Sequence, residues 1–141
     1  MIFPLLTLAV QVTEVPVSDV NIPFLGYTCI KEGMPMVRVE HGGNRRVVRF
    51  AGGSGSSRVI FDLVDALQSM THERTADGVR WVLRAEGRTE SSIGVSNGTQ
   101  ATIVLTAHEP SAGFATGDFV VRAGSFSQEE AGCSQMPQPT A

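Results

Sequence analysis

The chain has almost no surplus charge and no run of one sign. Eleven Lys and Arg stand against fourteen Asp and Glu, a formal net charge of −3. Arg45-Arg46 is the one basic pair, and Trp81 and Tyr27 do not sit in a basic stripe. Nucleic-acid binding needs a positive footprint, so that class of partner is excluded.

Cysteine is scarce too. Cys29 and Cys133 are far apart in the chain, with no Cys-x-x-Cys spacing, and the three histidines (His41, His72, His108) show no His-x-x-x-His or Glu-x-x-His pattern. Neither a metal nor a cofactor is therefore expected. There is no Gly-Lys-Ser/Thr to cradle a nucleotide, and Gly53-Ser-Gly55 is followed by Arg58 where a dinucleotide fingerprint needs a third Gly. Ser54 in Gly52-Gly53-Ser54-Gly55-Ser56 lacks the closing Gly of a hydrolase elbow. No apolar run approaches the roughly 20 residues that span a bilayer, so no stable membrane span is expected.

What is present describes one globular domain. Hydrophobic residues make up 42% and charged ones 18%, enough for a core under a lightly charged surface. Fifteen Gly and seven Pro favour short elements and many turns. Residues 1–12 form an apolar run of the length of a signal-peptide h-region, with Thr7-Leu8-Ala9 as a small-x-small site. The competing reading is a first strand, which Pro4 would spoil. The cysteines are either two separate buried thiols or one disulfide, Cys29–Cys133. A disulfide closing so long a loop would contribute about 4–5 kcal/mol in the chain-entropy model. Together the leader-like start and the cysteine pair point to an oxidising compartment, secreted or periplasmic.

Strand signals recur along the chain. Residues 36–41 and 46–50 alternate about His41-Gly-Gly-Asn44 and read as a hairpin. Residues 79–86, 88–95, 101–108 and 118–123 read as a four-strand meander, with Asn97-Gly98 as a type I′ turn between the second and third. Asn97-Gly98-Thr99 is also a glycosylation sequon. Residues 57–70 carry Arg58, Asp62, Asp65 and Ser69 at helical spacing, with apolar residues over the remaining circumference. This predicts one amphipathic helix, with a strand at 58–62 as the competing reading. The expected fold is α+β: an antiparallel sheet, hairpin plus meander, with the helix on one face. Its single domain covers residues 13–133, and a disordered tail covers 134–141.

One loop has the shape of a ligand site. Gly53, Ser54, Gly55 and Ser56 follow a strand and would open the helix, and Arg46 and Arg58 could add positive charge for a phosphate or carboxylate. Since no catalytic constellation accompanies it, the expected function is an exported, non-enzymatic domain that binds a partner protein or envelope component. The alternative is a small-anion site or enzyme centred on the Gly-rich loop.

Overall fold

A computed structural model describes residues 12–14, 27–42, 45–53, 55–76, 78–109 and 116–137. The signal-like residues 1–11 lie outside the described residues. The strands are β1 Val12–Glu14, β2 Tyr27–Lys31, β3 Met34–Gly42, β4 Arg45–Gly52, β5 Val59–Val64 and β6 Leu67–Thr75, followed by β7 Gly78–Arg88, β8 Glu90–Ile93, β9 Gln100–Glu109, β10 Thr116–Ala123 and β11 Phe126–Pro137. They form one sheet in the order β1-β6-β7-β9-β10-β11-β2-β3-β4-β5-β8. Every neighbouring pair is antiparallel.

The sheet divides at β11 and β2 into a β9 half (β1 to β11 in the spatial order) and a β4 half (β2 to β8). The chain crosses between the halves at two tight corners. Only Asp65 and Ala66 separate β5 from β6, and only Thr89 separates β7 from β8. Yet β5 and β6 are the tenth and second strands in spatial order. Neighbours in sequence that lie near opposite ends of a sheet force that sheet to curl round and face itself. The amide of Glu86 donates to Ala66 O at 2.8 Å across one such corner.

Inside the curl lies a single core. Val37 and Val39, Val48 and Phe50, Phe61 and Leu63, Leu83 and Ala85, Ile103 and Leu105, and Phe119 and Val121 are buried at every second position of their strands. That is the period of a strand with one dry face. The Phe50 ring lies 5.5 Å from Phe61 in its own half and 5.9 and 5.8 Å from Phe119 and Phe126 in the other. The seam between the halves is a backbone ladder from Ser134–Ile30 to Pro137–Tyr27. It is crossed by the disulfide Cys29–Cys133, with 5.5 Å between Cα atoms and both residues buried.

The fold is therefore all-β, and the α+β expectation is overturned. Residues 57–70 are two strands broken by a corner. Val59, Phe61 and Leu63 point inward, and Asp65 turns the chain at φ +52°. The corner resets the two-residue alternation, so Arg58, Asp62, Asp65 and Ser69 mimic a helical stripe that no helix bears. Val59, Ile60, Phe61 and Val64 are β-favouring residues, and pairing with β4 decides the outcome.

The four-strand meander is corrected in the same way. β8, from its second expected strand, leaves for the far end of the sheet and pairs with β5, while β7 pairs directly with β9. Ser96–Thr99 is a turn, but it joins no paired strands. Gly98 alone has positive φ (+83°), which is the type II pattern rather than type I′. Residues 134–137, expected in the tail, extend β11 along β2.

Candidate binding face

The outer face of the β4 half has an unusual composition. Because Val37, Val39, Val48, Phe50, Phe61 and Leu63 point inward, their neighbours Arg38, Arg49, Ala51, Ile60 and Asp62 point outward. Register lines these up in rows. Ala51 pairs with Ile60 and Ile60 with Ile93. Met36, the extra residue of a bulge in β3, is partly buried against the core and lines the same cleft as Ala51. The result is an apolar row, Ala51-Ile60-Ile93, across three strands, with Met36 of β3 at its end. Beside it runs a charged row: Arg38 pairs with Arg49, Arg49 with Asp62, and Asp62 with Glu90.

A bulge keeps the rows intact at the edge. Two residues separate Glu90 from Ile93, but only one separates their partners Asp62 and Ile60. Ser91, at φ +51°, absorbs the extra residue, so Glu90 and Ile93 share a face. Gly94 follows at φ +83°, where a side chain would strike the Arg58 carbonyl.

Two large hydrophobic residues are exposed among the described residues, Met34 at 53% and Ile93 at 58%, and both stand on this surface. Two open clefts indent it. One, of about 420 Å³, lies at the rim among Lys31, Met34, Gly53, Arg58, Gln128 and Glu130. The other, of about 340 Å³, lies over the sheet among Met36, Arg38, Arg49, Arg58, Ile60 and Asp62.

The charges on the face differ in how they are partnered. Asp62 is largely buried and accepts two hydrogen bonds from Arg49, at 2.7 and 3.1 Å. The bond to Asp62 raises the Arg49 pKa above its ordinary value, against the opposing effect of burial. Lys31 is held by Ala131 O at 2.6 Å and Glu130 at 3.4 Å. Among the described residues, Arg38, Arg58 and Glu90 have neither ion pair nor side-chain hydrogen bond.

The structure separates the residues expected to hold an anion. Gly53 and Arg58 line the rim cleft, with Gly55 and Ser56 between them in the chain, whereas Arg46 is the second residue of β4 and the loop follows the end of that strand. Six residues of strand at about 3.3 Å each place Arg46 roughly 20 Å away. Ser54 lies outside the described residues. Gly55–Ser57 is a single 3₁₀ turn leading into β5, so no α-helix presents its N-terminus there. The Gly53 amide donates to Gln128 Oε1 at 3.0 Å. Glu32 and Glu130 line the same cleft as Lys31 and Arg58, so its charges balance.

Sequence reasoning missed the face itself. Its signal was available in Ile60 and Ile93, apolar residues at the outward positions of otherwise alternating strands, once 59–64 is read as extended. The open edge of β8 is guarded, because the Ser92 amide donates to Asn97 Oδ1 at 2.9 Å. Among the described residues no helix is long and apolar enough to cross a membrane. Comparison with known proteins finds no matching family model, no matching curated protein and no matching solved structure.

Proposed function

We propose that this protein is a secreted or periplasmic, non-enzymatic binding module that docks a protein partner on the outer face of its β4 half. The exposure of Met34 and Ile93 on one face carries this reading. An isolated exposed apolar residue is ordinary, but a half-buried apolar row that ends in exposed Ile93 and runs beside a charged row is a pattern of interaction surfaces. Compatible with export is the buried Cys29–Cys133 disulfide, a bond that persists in oxidising compartments. The residues lining the sheet cleft suit contact rather than catalysis: Met, Arg, Ile and Asp, with no histidine or cysteine.

A photo-crosslinking residue placed at Ile93 tests the assignment in the native host. A protein adduct formed from Ile93, and not from Arg122 on the other half, is the expected result. No adduct from Ile93 overturns the reading. A small anion in the rim cleft is the lesser alternative, favoured by the unpartnered guanidinium of Arg58. A thermal shift with millimolar phosphate that disappears in Arg58→Ala is its expected signature.

A further inference from the structure

We infer that the partner for this face is a second copy of the same chain, an inference that rests on the assignment of the face as a docking surface. The charged row reads positive, positive, negative, negative across β3, β4, β5 and β8: Arg38, Arg49, Asp62, Glu90. That order is self-complementary. A two-fold axis lying along the strands, midway between β4 and β5, lays the face on its own copy. It sets β3 opposite the partner's β8 and β4 opposite the partner's β5. Arg38 then meets the partner's Glu90, and Arg49 meets the partner's Asp62, each contact occurring twice by symmetry.

The apolar row obeys the same operation. Ala51, the smallest member, faces the partner's Ile60, and Met36, at the end of the row, lies toward the partner's Ile93. Small against large is how two sheet faces interdigitate. The two charges at the ends of the row, Arg38 and Glu90, have no ion-pair partner within the described residues, and the axis joins them. The inner two, Arg49 and Asp62, already bind each other and stay paired.

Edge-to-edge association is the less suitable mode, because Asn97 occupies the Ser92 amide on the open side of β8. Stacking of faces leaves that bond untouched. The face spans about 20 Å by about 23 Å from strand spacing and rise, which places the dimer at the small, reversible end of specific interfaces. Its dissociation constant is accordingly expected above about 1 μM.

Sedimentation velocity on the oxidised full chain, from about 1 μM to about 1 mM, reads the association directly. A reversible monomer–dimer equilibrium is expected. Arg38→Glu and Glu90→Arg each set like charges opposite one another twice, and each should weaken dimerisation about tenfold. The double variant R38E/E90R restores the pairs in reverse and should return to within about twofold of the parent. Arg122→Glu, on the other half, should change nothing. Circular dichroism and melting temperature confirm that each variant is folded. A chain that stays monomeric throughout, or a double variant no better than the singles, overturns the inference. Crosslinking from Ile93 then separates the two failures. An adduct with a different protein, from a chain that sediments as a monomer, removes the homodimer and keeps the docking face. No adduct removes both.

Discussion

The two halves of the sheet share one core and present opposite kinds of outer surface. On the β9 half, outward positions carry Thr71, Val82 and Thr106 in register across three strands. Both halves carry local ion pairs: Arg80 pairs with Glu73 and Arg84 reaches Glu86 at 3.4 Å on this half, and Arg49 holds Asp62 on the other. Exposed large apolar residues belong to the β4 half instead, and so do the segregated charges at the ends of its row. Sorting charges by strand, with an apolar row beside them, suits a surface that meets protein.

Cutting the seam should have the largest effect on this comparison. Replacing both Cys29 and Cys133 by Ala removes a crosslink of sequence separation 104, with an expected loss of about 4–5 kcal/mol in the chain-entropy model. Urea unfolding of the oxidised protein and the double variant measures it. Hydrogen exchange should rise first along β2 and β11 if the halves are tied chiefly there.

Alkali attacks the same seam. Tyr27 is buried, and its hydroxyl lies where a side chain on Gly117 would stand. Burial first, and then the Asp118 carboxylate, push its pKa from 10.0 up to about 12. The unfolded chain thus loses this proton before the folded one does. The stabilisation is complete below about pH 10, falls as pH rises, and is gone above about pH 12, a total of about 2–3 kcal/mol. Tyr27→Phe should flatten that limb of the stability curve, as followed by urea midpoints against pH.

The smallest expected effect is at the corner between the halves. The Asp65 carboxyl accepts from Arg45 Nε at 2.9 Å and from the Arg46 amide at 3.1 Å. The side-chain bond first and the backbone bond second hold its pKa below the ordinary carboxylate value. A lowered folded pKa gives stability that is present above about pH 4 and lost on further acidification. Asp65→Asn keeps a residue tolerant of the positive φ and removes the charge. Its acid melting curve should lose a small part of the slope, while melting near pH 7 shifts slightly downward.

Much of the sheet was legible because its strands have one wet and one dry side. Residues 36–41, 46–50, 79–86, 101–108 and 118–123 alternate, and each lies within an observed strand. Two features defeated the same reasoning. The Asp65–Ala66 corner shifted the alternation within a 14-residue window, so a bent pair of strands acquired the period of a helix. β11 gave no apolar pattern at all: Gln128 and Glu130 sit opposite Val121 and Phe119 on the inner side. They act through polar contacts with Gly53 and Lys31. A strand placed by its backbone ladder leaves little mark on its side chains. The proposed docking face was hidden for the first of these reasons, since Ile60 was assigned to a helix and its row across β4 and β8 could not be drawn.

The position of β11 also sets an order of events during synthesis. Among the described residues, β2 pairs with the β9 half through residues 134–137 of β11. Until those residues have emerged, the early hairpins can pair among themselves, but one flank of β2 stays open and Cys29 has no thiol to meet. The β2–β11 ladder and the Cys29–Cys133 bond therefore form late in synthesis. A nascent chain stopped before Phe126 should remain open to thiol-alkylating reagents and to proteases that the finished protein resists.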